Sequence, residues 1–152
     1  MGATRLTVIL AEDDDGHASL IRRNLERARL DSNLIRVRDG QELLDLLNTE
    51  METSLSGSPL VVLLDISMPK VNGIEALQII KSNPRTRTIP VFMLTTTDNP
   101  LEVARCYAAG CNAYVTKPVS YQAFAAAMER LCGFLGICQV PPHVPDAEYA
   151  RI

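Results

Sequence analysis

Five residues of the 152-residue chain stand where a strand-like run gives out, and their types suit metal and phosphate chemistry. Asp65 follows Leu60 to Leu64, the start of a stretch that continues to Met68 and Pro69. Glu12 and Asp13 follow Leu6 to Ala11, Thr95 follows Val91 to Leu94, and Lys117 follows Asn112 to Thr116. A carboxylate at the lip of a buried apolar strand is costly if left unpaired, so Asp65 needs a partner or a use. Carboxylates drawn together repel one another and raise one another's pKa. A hard divalent cation relieves that repulsion, and Mg²⁺ binds through one or two carboxylates, several waters and phosphate oxygens. Lys117 would add a cation on the other side and Thr95 a hydroxyl donor. Each residue also has an ordinary reading. A strand-end Asp caps turns, and the acidic run Glu12 to Asp15 suits a helix N-terminus. Thr after a strand is common, and a lysine is often a plain surface charge. Their convergence on one side of one sheet favours the joint chemical reading.

The elements that must position them alternate. Leu6 to Ala11 reads as a buried strand, and after Gly16 a helical stripe follows at Ala18, Ile21, Leu25 and Ala28. Asn33 to Val37 is a short strand, and Asp39-Gly40 begins a helix with Leu43, Leu44, Leu46 and Leu47 inward, ending near Thr49. Glu50 to Pro59 is a polar loop. After the Asp65 strand, Gly73 leads a helix that stops before Asn83-Pro84. Val91 to Leu94 is a strand, Pro100 opens a helix that Gly110 caps, and Asn112 to Thr116 is the fifth strand. Ser120 caps a last helix with Phe124, Ala127, Met128, Leu131 and Leu135 on one face. Five β-α units with unbroken apolar strands predict an α/β fold: a flavodoxin-like, doubly wound parallel sheet of order 2-1-3-4-5. In that order the ends of strands 1 and 3 are adjacent, and functional crevices lie beyond the carboxyl ends of such strands.

Composition narrows the classes. One domain fits the length. A net charge of −3 and a pI near 5.4 argue against a nucleic-acid surface. No apolar run is long enough to span a membrane, and the N-terminus lacks the apolar core of a signal peptide. Cys106, Cys111, Cys132 and Cys138 have neither C-x-x-C spacing nor clustered histidines, so reduced thiols in a cytoplasmic protein are expected.

With these residues in place the chain resembles the receiver domain of two-component response regulators. The likeness rests on Glu12-Asp13, on Asp65 with Met68-Pro69 and Gly73, on Thr95 thirty residues on, and on Lys117-Pro118 twenty-two further. Within the family it is most similar to stand-alone regulators of bacterial phytochrome-type histidine kinases. The stretches Glu12 to His17, Val37 to Gly40 and Leu94 to Thr97, and the long loop at 50–59, carry that narrower likeness. The resemblance implies that Asp65 accepts a phosphoryl group from a kinase phosphohistidine. It implies that Glu12, Asp13, Asp65 and the backbone carbonyl of Ser67 hold Mg²⁺, with Mn²⁺ a substitute. Thr95 and Lys117 would bind the phosphoryl group, Tyr114 would be the aromatic switch, and Lys117-Pro118 would be a cis turn. The protein would be a signalling domain with no enzymatic activity beyond its own phosphorylation and dephosphorylation. Glu12 departs from the commoner Asp; the resemblance implies that Ser67 and Thr97 flank the phosphate and tune water access, and an unexceptional dephosphorylation rate is expected. His17 reads as a partner-facing or solvated residue rather than a metal or proton-relay group.

Two other classes compete. A haloacid dehalogenase-like phosphohydrolase needs a second Asp two residues after the nucleophile, where Ser67 stands, and residues for a cap domain. A phosphate-independent pseudo-receiver would not need the intact acidic pair, Thr95 and Lys117. The expected organisation is a receiver at 5–135 and a C-terminal extension at 136–152 without an output domain. Phe134, Leu135, Ile137 and Val140 continue the apolar pattern past the last helix, broken by Gly133 and Gly136. They fold back on their own domain or dock on a second copy. The expected partners are a sensor histidine kinase, bacteriophytochrome in type, and a second copy of the chain. That homodimer would form through helix 4, strand 5, helix 5 and the extension; nucleic acid and membrane are not expected partners. Val144 to Ile152 is expected to be poorly ordered.

Overall fold

The computed structural model describes residues 5–28, 30–50 and 57–143. Its strands are β1 (Leu6–Ala11), β2 (Ser32–Val37), β3 (Leu60–Leu64), β4 (Val91–Thr95) and β5 (Ala113–Thr116). Its helices are α1 (Asp15–Arg27), α2 (Gly40–Glu50), α3 (Gly73–Ser82), α4 (Pro100–Ala109) and α5 (Tyr121–Ile137). The five strands form one parallel sheet of order β2-β1-β3-β4-β5, as the alternation of elements required.

Two apolar layers sandwich the sheet, and the period-two alternation of β3 divides its side chains between them. Leu60, Val62 and Leu64 face one layer with Leu43, Leu47, Leu77, Ile80 and Cys106, so α2, α3 and α4 cover that side. Val61 and Leu63 face the other layer with Ile21, Leu25, Phe124, Met128 and Leu135, from α1 and α5. Every residue of β1 and β3 is buried, as a central parallel strand covered on both faces must be.

The helix starts are set by side-chain caps. Asp14 accepts from the His17 amide at 2.9 Å, and Asn72 from the Glu75 amide at 3.0 Å. Asn99 precedes Pro100 and accepts from the Leu101 amide, while Gly110 ends α4 at φ 104°, a conformation few side chains tolerate.

Two expectations change. The Lys117–Pro118 peptide is trans, not cis, which is the form an X–Pro bond favours by about 0.5–1 kcal/mol unless packing overrides it. Nor do Gly133 and Gly136 break the apolar pattern: α5 runs through both to Ile137. A helical glycine costs about 1 kcal/mol relative to alanine. Here Cys132 and Leu135, both buried beside α1 and the sheet, offset that cost.

Leu135 is buried and Val140 packs against its own domain, Phe134 and Ile137 are exposed, and the chain after α5 folds back. Pro142 pairs antiparallel with Pro59. The amide of His143 donates to the Ser58 carbonyl at 2.9 Å, and that of Gly57 to the His143 carbonyl at 2.8 Å. The expected loop at 50–59 is described only from Gly57, and Val144 to Ile152 lie outside the described residues.

Candidate functional site

The register of the central strands assembles the site. Ala11 pairs with Leu64, so Glu12 and Asp65 emerge side by side where β1 and β3 end. The Asp65 amide carries the ladder one step further by donating to the Ala11 carbonyl at 3.1 Å. Thr95 and Thr116 pair at the ends of β4 and β5, and the Lys117 amide donates to the Thr95 carbonyl at 2.6 Å. All four strand ends therefore point their polar residues to one side.

Glu12 and Lys117 are almost wholly buried, and Asp65 is 7% exposed. The Lys117 Nζ donates to Glu12 Oε2 and, at 3.1 Å, to Asp65 Oδ2. Glu12, Asp13 and Asp65 each offer a carboxylate oxygen within 4.8 Å of the others. Asp13 alone of the three is exposed. Burial raises the Glu12 carboxyl above its usual range, against the opposing pull of the Lys117 ammonium. One lysine thus pairs with two buried acids, and the exposed Asp13 brings a third carboxylate to them. The donor set is all carboxylate oxygen, the chemistry a hard divalent ion of the Mg²⁺ or Mn²⁺ kind requires.

The remaining expected residues border this cluster. Ser67 is exposed, and its amide donates to Asp65 Oδ1 at 3.3 Å, which holds the loop after β3 against the acid. Thr95 is fully buried, and its Oγ1 has no hydrogen-bond partner among the described residues. A buried hydroxyl without a partner is costly, so this donor is available to an incoming acceptor. Tyr114 is half-buried against the α2, α3 and α4 layer, and its hydroxyl donates to the Thr97 carbonyl at 2.7 Å. Burial pushes its phenol up to about 12. Thr97 in turn donates to Glu102 of α4 at 2.7 Å. Tyr114 and α4 therefore both hold the loop that begins at Thr95.

Gly73 shows how tightly the loop after β3 is packed. A Cβ there would lie 2.2 Å from the Asp65 carbonyl oxygen and 2.7 Å from Ile66 Cα. The start of α3 thus presses directly on the backbone that carries Asp65.

Two further residues reach the cluster. The half-exposed His17 places its Nδ1 3.2 Å from Lys117 Nζ and 3.8 Å from Glu12 Oε1. Its ring packs on Phe124 of α5, with centroids 4.9 Å apart. The signal was position, since α1 starts immediately after the acidic loop and its first turn must overhang the site. Arg36 of β2 belongs to no sequence motif, yet its guanidinium donates to the Glu12 carbonyl. Knowing that β2 neighbours β1 was the clue available.

Comparisons with known proteins agree with this geometry. Residues 8–129 match the family described as response regulator receiver domain. The chain is 36% identical over 110 residues to the response regulator Rcp1 of Synechocystis, covering 72% of this chain and 75% of that protein. The Mn²⁺-bound structure of Rcp1 superposes with a TM-score of 0.80 at 30% identity, over 90% of this chain and 98% of that one. A receiver domain from Rhodospirillum rubrum gives a TM-score of 0.84 at 41% identity, over 91% and 99% of the two chains. The phosphorylated cyanobacterial phytochrome response regulator RcpA gives 0.81 at 30% identity, over 91% and 99%.

Proposed function

The chain belongs to the response regulator receiver family, and on that premise we propose that it takes a phosphoryl group from a sensor histidine kinase onto Asp65. The observation that carries this is the cluster itself: Lys117 bonded to Glu12 and Asp65, and Asp13 converging with both acids. In the transfer, an Asp65 carboxylate oxygen forms a bond to phosphorus while the bond from phosphorus to the imidazole nitrogen breaks. The nitrogen leaves with the electron pair and the product is an acyl phosphate.

Glu12, Asp13 and Asp65, with the Ser67 carbonyl, would hold Mg²⁺ (or Mn²⁺ in its place). The bound ion supplies neutralisation of charge on the phosphoryl oxygens. The chain's own residues do the rest. Lys117, already 3.1 Å from Asp65, counters charge on the modified group. Thr95 gives its free hydroxyl to a phosphoryl oxygen, which draws its loop toward Asp65 and alters the contact of Tyr114 with Thr97. β5 ends at Thr116, and Pro118 restricts the backbone directly after Lys117.

The readout is a change in the surface of α4, β5 and α5. Leu101 and Tyr107 of α4 and Tyr121, Phe134 and Ile137 of α5 are exposed there, apolar enough for a partner or a second copy. The likeness to the cyanobacterial phytochrome response regulator RcpA supports a phytochrome-type kinase as donor. The receiver unit of this proposal is residues 5–135, with 136–152 an extension whose first residues continue α5. It works in the cytoplasm beside its kinase as a signalling domain; no helix among the described residues is long and apolar enough to cross a membrane.

The test is incubation with acetyl phosphate and Mg²⁺, followed by intact mass. One labile phosphoryl adduct on wild type, absent from Asp65→Asn and from chelated samples, is the expected result. No adduct would support a phosphate-independent binding module, and turnover of small phosphate esters a hydrolase.

A further inference from the structure

We infer that Arg36 is a positioning residue for the metal site, acting through the backbone of Glu12 rather than by touching the ion or the phosphate. The inference rests on the metal-binding reading above. At the end of β1 the regular ladder stops: the Glu12 amide still donates to the Val37 carbonyl at 3.1 Å, but β2 ends at that residue. The next carbonyl, that of Glu12, has no strand to accept from. Arg36 fills the gap with a fork, Nε donating at 3.0 Å and Nη2 at 2.8 Å to the same Glu12 oxygen. Its remaining arm, Nη1, donates to Asp15 Oδ1 at 2.7 Å in the first turn of α1.

The consequence is geometric. Fixing the Glu12 carbonyl fixes the plane of the Glu12–Asp13 peptide, and so the directions in which the two side chains leave the backbone. Those are two of the three acids that converge within 4.8 Å. Tying the same guanidinium to Asp15 also anchors the loop at its far end, where α1 begins. The Arg36 side chain is only 16% exposed, so the fork is held in one place rather than sampled. A lysine could not reproduce it, because an ammonium is a point donor without a planar fork.

The sign of the effect separates positioning from simple electrostatics. A guanidinium beside an acidic cluster repels a cation, so on charge alone its removal would tighten metal binding. If Arg36 holds the acids in their converging arrangement, its removal weakens binding instead.

The experiment titrates Mn²⁺ into the full chain and counts free ion by electron paramagnetic resonance. Thermal melts check that each variant is folded. The comparison is wild type, Arg36→Leu, Arg36→Lys and Arg38→Leu; Arg38 also reaches Asp15, at 3.0 Å. Loss of an outer partner of a metal ligand typically weakens binding by about 10–100-fold. That loss is expected for Arg36→Leu, with Arg36→Lys also weakened and Arg38→Leu close to wild type. A second readout is the Mg²⁺ dependence of Asp65 phosphorylation: for Arg36→Leu, saturating Mg²⁺ should restore the wild-type rate, since only the metal site is loosened. Unchanged or tighter Mn²⁺ binding by a folded Arg36→Leu overturns the positioning role while leaving the metal site standing. Should Arg36→Leu not fold, Arg36→Lys at wild-type affinity would do the same. Failure of wild type to bind Mn²⁺, or binding indifferent to Asp13→Asn, sinks the metal reading and the positioning claim with it.

Discussion

Asp13→Asn is expected to make the metal-free protein more stable and the metal-loaded protein less stable, so that the two stability curves cross as Mg²⁺ rises. Asp13 offers an oxygen within 4.8 Å of oxygens of Glu12 and Asp65. At that separation two like charges repel by about 0.9 kcal/mol in water and about 3.5 kcal/mol at an effective dielectric of about 20. Asp13 is exposed and Lys117 partly neutralises its neighbours, so the lower figure governs. Substitution by the isosteric amide should therefore stabilise the apo protein by about 1 kcal/mol. With metal the sign turns. At a Mg²⁺ concentration a hundredfold above Kd, wild type gains about 2.7 kcal/mol, whereas a variant binding a hundredfold more weakly gains only about 0.4 kcal/mol. Urea unfolding at a series of Mg²⁺ concentrations reads both effects in one experiment. A variant that is less stable without metal, or that keeps the wild-type response to Mg²⁺, refutes the claim that these three acids form a strained cation site.

Other consequences are separable from the metal. Gly73→Ala drives a methyl group into the Asp65 backbone, which cannot yield as a flexible side chain would. A loss of roughly 1–3 kcal/mol in urea unfolding and slower Asp65 phosphorylation are expected, and wild-type behaviour in both would refute the close packing. Tyr114, pushed up to about 12 mainly by burial, should add a late component to an ultraviolet pH-jump titration. Its folded pKa is raised, so its contribution to stability is present while the phenol is protonated and is lost as pH climbs toward that value. Tyr114→Phe should delete the late component. The thiols of Cys106 and Cys132 are pushed up to about 11 and about 12 by burial, and Cys111 is also raised. Mass spectrometry after brief alkylation near neutral pH should find Cys138 modified first; prior modification of Cys132 would contradict its burial.

The sheet and its acidic end were legible because a central parallel strand must be apolar on both faces, so Leu60 to Leu64 and Leu6 to Ala11 could hardly be anything else. Once the order of strands was settled, Glu12, Asp13, Asp65, Thr95 and Lys117 had to meet, although Glu12 and Lys117 are far apart in the chain. Contacts that depend on side-chain reach were not legible. The fork of Arg36 onto a backbone carbonyl leaves no periodic trace, since an arginine on an edge strand usually points to solvent. The packing of His17 on Phe124 is set by how α1 meets α5. The passage of α5 through Gly133 and Gly136 was hidden for a related reason. Local propensity argues against a helix there, and only the burial of Cys132 and Leu135 reverses it. The trans Lys117–Pro118 bond and the pairing of Pro142 with Pro59 are likewise decided by tertiary packing, which no short window of sequence contains.

The central claim is that Asp65 carries the phosphoryl group. Borohydride reduction of the protein after treatment with acetyl phosphate and Mg²⁺ converts an aspartyl phosphate to homoserine, which peptide mass spectrometry locates. Homoserine at position 65, dependent on Mg²⁺ and on an intact Lys117, is the predicted result. Homoserine at position 13, or none in a protein shown to bind the metal, would contradict it.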